Sequence, residues 1–225
     1  MTLARAWFVT GTDTEIGKTH TTCALLHAAR AQGLSALGMK PVAAGTELRN
    51  GEWINEDAAR LREAGSFDPG LALLNPCCFR SPIAPHIAAL EEGRSIDPAP
   101  LLQAFGELRQ KADILLVEGV GGFRVPLGEH YDTADLARDF GLPVILVVGM
   151  RLGCISHALL TAEAIRQRGL ELAGWVANTV DPAMLRFDDN VEALRQRLQA
   201  PLLGVLPHLE QPAEGAARSG LHLPR

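Results

Sequence analysis

The stretch "VTGTDTEIGKTH", residues 9–20, decides how the fold is read. An apolar run, Ala6–Thr10, leads into a glycine turn, and Gly17-Lys18-Thr19 then opens an amphipathic stretch, Lys18–Gln32. Strand, glycine-rich turn and helix in this order make a phosphate-binding loop: backbone N–H groups and the helix N-terminus face the anion. The lysine reaches the outer phosphates, and the hydroxyl after it suits Mg²⁺. The spelling is irregular. Thr12 stands where the first glycine belongs, Gly11 lies one position early, and the loop carries two acids, Asp13 and Glu15.

Outward from the loop, short apolar runs alternate with helical patterns. Ala36–Val42, Asp113–Val117, Pro143–Val148, Leu172–Ala177 and Leu203–Leu206 read as strands. Glu56–Ala64, Pro98–Lys111, Thr133–Phe140, Ser156–Arg168 and Pro182–Leu198 read as helices. Alternation with unbroken apolar strands predicts an α/β fold, its parallel sheet covered by helices on both faces. Asn75–His86, with three prolines, reads as a long loop, and the Gly-, Pro- and Ala-rich tail after Glu210 as a surface segment.

The 225 residues suit one domain, 1–225. The net charge of −5 argues against a large nucleic-acid footprint. No apolar run approaches the roughly 18–20 residues that span a membrane. Nothing reads as a signal peptide, and Cys23, Cys77, Cys78 and Cys154 lack C-x-x-C spacing, so reduced thiols in a cytoplasmic protein are expected.

Polar and glycine signals cluster where the strands end: Gly11–Thr19, Lys40, Glu118–Gly122, Asn178 and Pro207–Leu209. Ligands of open parallel sheets bind beyond the carboxyl ends of the strands, so one site is expected there. Glu118 follows an apolar strand, the usual place for an acid that holds magnesium. Spacing alone explains Asp57 as an acid favouring a helix N-terminus. Lys40 reads equally as a cation aimed at an anion or as half of a structural ion pair.

With these residues assembled, the chain resembles the dethiobiotin synthase family. The resemblance rests on "FVTGTDTEIGKT", "GMKPVAAG", "NP..F..PIAPHIAA", "LLVEGVGGFRVPL", "LPVILVVGMRLGCISHALLT", "LAGWVANTV" and "PLLGVLPHL", in order from Phe8 to Leu209. It implies a P-loop NTPase-type fold with about seven strands, a homodimer with the substrate site at its interface, and the substrates ATP, CO2 and 7,8-diaminononanoate. In that family the diamine forms a carbamate, ATP phosphorylates it, and the second amine closes a cyclic urea.

Carried over by residue, the resemblance implies that Thr19, Asp57 and Glu118 hold Mg²⁺. Glu15, Ile16, Gly17, Lys18, Thr19 and His20 would wrap the ATP phosphates, and Lys40 would be the catalytic cation, while the chemistry of the loop itself adds Lys18 and Glu15 as catalytic candidates. Glu118, Gly119, Val120 and Gly121 would touch nucleotide and substrate, with Asn178, Thr179, Pro207, His208, Leu209 and Glu214 at the adenine. Thr14, Lys40, Ala44 and Ser156 would bind substrate. Ala44 and Ser156 depart from the serine and asparagine common at these positions. Two other classes compete: partitioning and cell-division ATPases, whose loops carry an early lysine absent before Lys18 here, and amidoligases that activate a carboxylate.

Overall fold

The structure, a computed structural model, describes residues 3–49, 51–208 and 220–224. Among the described residues ten strands and eight helices follow in chain order: β1 Arg5–Gly11, α1 Lys18–Ala31, β2 Ala36–Met39, β3 Val42–Ala44, β4 Glu47–Arg49, β5 Glu52–Ile54, α2 Glu56–Ala64, α3 Leu71–Leu74 and β6 Cys77–Phe79. Then come α4 Pro85–Glu91, α5 Pro98–Leu108, β7 Ile114–Glu118, α6 Thr133–Phe140, β8 Val144–Met150, α7 Cys154–Gln167, β9 Leu172–Thr179, α8 Phe187–Arg197 and β10 Leu202–Leu206.

Six strands form the central parallel sheet, in the order β10-β9-β8-β1-β7-β2. Alternate side chains fill the two faces. Phe8, Leu115, Val117, Leu146 and Trp175 pack with residues of α4 to α8. Trp7, Val9, Leu116, Ile145 and Val147 pack with α1 and α2. Burial on both faces is why β8, VILVVGM, shows no polar alternation.

The sheet has six strands, not seven. The run expected from Ala36 to Val42 breaks after Met39, where Pro41 has no N–H to donate to a ladder. Beyond the break Val42–Ala44 pairs in parallel with Cys77–Phe79 as a separate two-stranded sheet. Lys40 sits in that gap: its backbone N–H donates to the Leu74 carbonyl at 2.7 Å, and its own carbonyl accepts from the Asn75 amide at 2.6 Å. The stretch read as one long loop, Asn75–His86, therefore holds a strand and the start of a helix.

The tail also differs from expectation. Leu221 and Leu223 are buried in the α1/α2 face of the core. Arg5 donates to the Pro224 carbonyl at 2.8 Å, and the His222 N–H donates to the Leu203 carbonyl at 3.2 Å. The chain end thus returns across the core although its composition reads as surface.

β1 is the switch point. The chain leaves it for β2 and β7 on one side and for β8 to β10 on the other, which opens a crevice above the carboxyl end of β1.

Candidate active site

The loop between β1 and α1 is shaped by its neighbours. Gly17 precedes α1 with φ 84°, a left-handed conformation that favours glycine. A Cβ there would lie 2.2 Å from the Asn178 Nδ2. Asn178, at the end of β9, donates that amide to the Ile16 carbonyl at 2.8 Å. The Ile16 side chain is buried against the end of β8, where a Cβ on Gly149 would meet its Cγ2 at 2.6 Å. Ile16 is thus a plug that seats the loop on the sheet.

The first acid of the loop does not face a phosphate as a free charge. Asp13 accepts from the Thr14 N–H at 2.8 Å and from Arg151 at 2.6 Å, and its carbonyl accepts the Lys18 ammonium at 2.9 Å. Glu15 is exposed and left-handed, with φ 58°. Thr14 lies against the turn at Gly121, where a Cβ would be 3.4 Å from its hydroxyl. His20 is half-buried on the first turn of α1.

Deeper in the crevice four side chains converge, from α1, α2, β7 and the gap between β2 and β3. Lys40, 2% exposed, donates to Glu118 Oε1 at 2.6 Å, to Asp57 Oδ2 at 2.9 Å and to the Gly119 carbonyl at 3.2 Å. The Thr19 hydroxyl donates to the same Glu118 Oε1 at 2.7 Å. Asn55 caps α2 by accepting from the Ala58 N–H at 3.3 Å and ties itself to the Gly45 carbonyl at 2.7 Å, which fixes Asp57 in the first turn. Both readings of Lys40 meet here: it is half of an ion pair, and that pair lies in the crevice.

Charge inside the cluster is strongly perturbed. Burial opposes the charge on Lys40, but the Glu118 and Asp57 carboxylates outweigh it and raise its pKa. Burial likewise opposes ionisation of Asp57, yet the Lys40 ammonium holds its pKa below the ordinary value. Lys18 has no such carboxylate contact. Burial, then repulsion from Lys40, brings it down to about 8. An anionic ligand beside Lys18 would raise its pKa again.

Magnesium fits this donor set. It takes oxygen ligands, commonly one or two carboxylates with substrate phosphates and water completing the shell. Thr19, Asp57 and Glu118 offer a hydroxyl and two carboxylates, and Glu118 Oε2 is buried without a hydrogen-bond partner. Among the described residues no three His, Cys, Asp or Glu side chains group as a protein-only metal cage, so phosphate oxygens would have to complete the shell.

The remaining expected residues fall in two places. Thr179 donates its hydroxyl to the Leu206 carbonyl at 2.7 Å, and His208 Nδ1 lies 3.2 Å from the Thr179 carbonyl, beside exposed Pro207. Leu209 and Glu214 lie outside the described residues. Gly119 is buried and Val120 half-buried after β7. Half-buried Ala44, on β3, and exposed Ser156, on the first turn of α7, lie outside the Lys40 hydrogen-bond network. The sequence reading missed Arg151 and Gly149; an arginine and a glycine just past an apolar strand were the available signal.

Residues 5–214 match the family described as an AAA domain. A protein of Aromatoleum aromaticum named ATP-dependent dethiobiotin synthetase BioD is 69% identical over 224 residues, covering 100% of each chain. Among solved structures, the ParA family ATPase from Chlorobium tepidum TLS is similar at TM-score 0.57 and 12% identity, over 96% of this chain and 90% of that one. The MinC:MinD cell division protein complex of Aquifex aeolicus gives 0.56 and 17%, over 97% and 87%. Likeness at such identities is likeness of fold alone; the sequence relative separates this chain from the competing class of partitioning and cell-division ATPases. The chain belongs to the dethiobiotin synthetase family, within the AAA-domain group of P-loop proteins.

Proposed function

We propose that this chain is an ATP-dependent dethiobiotin synthetase, a ligase of biotin biosynthesis. It joins CO2 to 7,8-diaminononanoate as a carbamate, phosphorylates the carbamate with ATP, and closes the cyclic urea with release of ADP and phosphate. Family membership supports the reaction. The observation that carries the site is Lys40, held by Asp57 and Glu118 in the crevice beyond the phosphate loop.

The roles follow from placement. Backbone N–H groups from Glu15 to His20 and the N-terminus of α1 bind the ATP phosphates, and Lys18 meets their charge. Thr19, Asp57 and Glu118 hold Mg²⁺, which when bound neutralises phosphate charge. Lys40 faces the carbamate and the phosphoryl group in transfer, where a fixed cation in a dry site is most effective. Glu15, exposed at the loop crest beside Thr14, meets the cationic diamine, as do Ala44 and the backbone from Glu118 to Gly121. Thr179, Pro207 and His208 surround the adenine. Asn178 also does so, while its bond to Ile16 fixes the loop.

Ser156 contributes from the partner subunit of a homodimer. Leu152 and Leu160, exposed near it on the same edge, are the apolar surface such an interface would cover. The chain works as one domain over 1–225, in the cytoplasm, with no nucleic-acid or membrane partner. No helix among the described residues is long and apolar enough to cross a membrane. Phosphate release from ATP tests this reading: it should require the diamine together with bicarbonate. Release indifferent to the diamine would return the chain to the simple ATPases.

A further inference from the structure

Lys40 has three N–H donors, and all three are engaged inside the protein, by Asp57, Glu118 and the Gly119 carbonyl. It therefore cannot touch a carbamate or phosphoryl oxygen without giving up one of them. Glu118 Oε1 is equally committed, since it accepts from both Lys40 and Thr19. The ammonium thus occupies one oxygen of each carboxylate assigned to the metal, while Glu118 Oε2 has no hydrogen-bond partner among the described residues.

A divalent ion would sit about 2.0–2.1 Å from such oxygens. Lys40 Nζ already lies 2.6 and 2.9 Å from one oxygen of each carboxylate. Two cations sharing these carboxylates would repel, most strongly at Glu118, which is fully buried, and less at Asp57, whose side chain is 41% exposed and partly screened by solvent.

We propose that Lys40 and the divalent ion are alternative occupants of one cradle, built by Thr19, Asp57 and Glu118. With a divalent ion held by Thr19, Asp57 and Glu118, the Lys40 ammonium would leave these carboxylates and turn toward the substrate. Lys40 would thus become available for the reaction only once the metal is seated, which couples the two events. The inference rests on the reading of Thr19, Asp57 and Glu118 as metal ligands. It goes further in making Lys40 the metal's competitor.

Mn²⁺ binding without nucleotide, followed by electron paramagnetic resonance, tests the competition. Lys40→Met removes the rival cation and leaves Glu118 buried and uncompensated, so Mn²⁺ should bind on the order of tenfold more tightly than to the unaltered protein. Asp57→Asn added to Lys40→Met should abolish the gain. Equal affinity for the unaltered protein and a folded Lys40→Met would overturn the proposal.

A crystal structure of the unaltered protein with Mn²⁺ and ATP decides independently of any variant. The expected result is Mn²⁺ on Thr19, Asp57 and Glu118, with Lys40 Nζ beyond hydrogen-bond distance of Glu118 Oε1. Lys40 still on Glu118 beside the bound metal would overturn the competition and leave the ligand reading intact. Mn²⁺ away from all three residues would overturn both.

Discussion

At the scale of single residues, the loop's two acids have different explanations. Asp13 is neutralised by Arg151 and by the Thr14 N–H, and its carbonyl orients Lys18. Arg151 and Asp13 are each about half exposed, so Arg151→Ala should change stability by no more than about 1 kcal/mol. It frees a carboxylate beside the phosphates, however, and ATP affinity should fall several-fold; unchanged affinity in a calorimetric titration would remove that role. Lys18 gives a pH prediction. Its folded value of about 8 lies below the ordinary 10.5, so between these values the unfolded chain binds more protons. In nucleotide-free protein Lys18 therefore adds stability as pH rises through that window, and below it the buried charge costs on the order of 3 kcal/mol. Phosphate restores the charge, so ATP binding at about pH 9 should take up a proton. Calorimetry in buffers of different ionisation enthalpy measures this, and uptake should vanish in Lys18→Met.

At the scale of elements, the site is a set of strand ends, and most of it was legible in the sequence. Apolar runs ending in glycine, lysine, glutamate or asparagine placed β1, β2, β7 and β9 and pointed to Lys40, Glu118 and Asn178. The split between β2 and β3 was not legible as a split. Lys40-Pro41 looked like a strand terminus, and the partner of the displaced piece, Cys77–Phe79, lies more than thirty residues on, in a proline-rich stretch. Asp57 looked like an ordinary helix-start acid because its ion pair with Lys40 exists only in three dimensions. The contact between Gly149 and Ile16 was hidden for the same reason. Gly149→Ala would press a methyl group into Ile16 at the base of the loop. It should destabilise the protein by about 1–3 kcal/mol in chemical denaturation and weaken ATP binding. A variant as stable and as tight as the unaltered protein would show that Ile16 does not seat the loop.

At the scale of the molecule, the sheet that carries the crevice is packed on two faces, and Leu221 and Leu223 join one of them. Composition made the tail look like a surface segment, yet Leu221 and Leu223 join the core beside α1, the helix that opens at Lys18. Leu221→Ala and Leu223→Ala should each cost roughly 2 kcal/mol, read as a lowered denaturation midpoint. Wild-type midpoints for both would place the tail outside the core. The central claim is that this whole arrangement builds a ureido ring from a diamine, CO2 and ATP. Incubation with ¹³C-bicarbonate, Mg²⁺, ATP and 7,8-diaminononanoate, followed by carbon NMR, tests it most directly. The account predicts the label in the carbonyl of a cyclic urea, with ADP and the product formed in equal amounts. ATP hydrolysis with no labelled urea would contradict it.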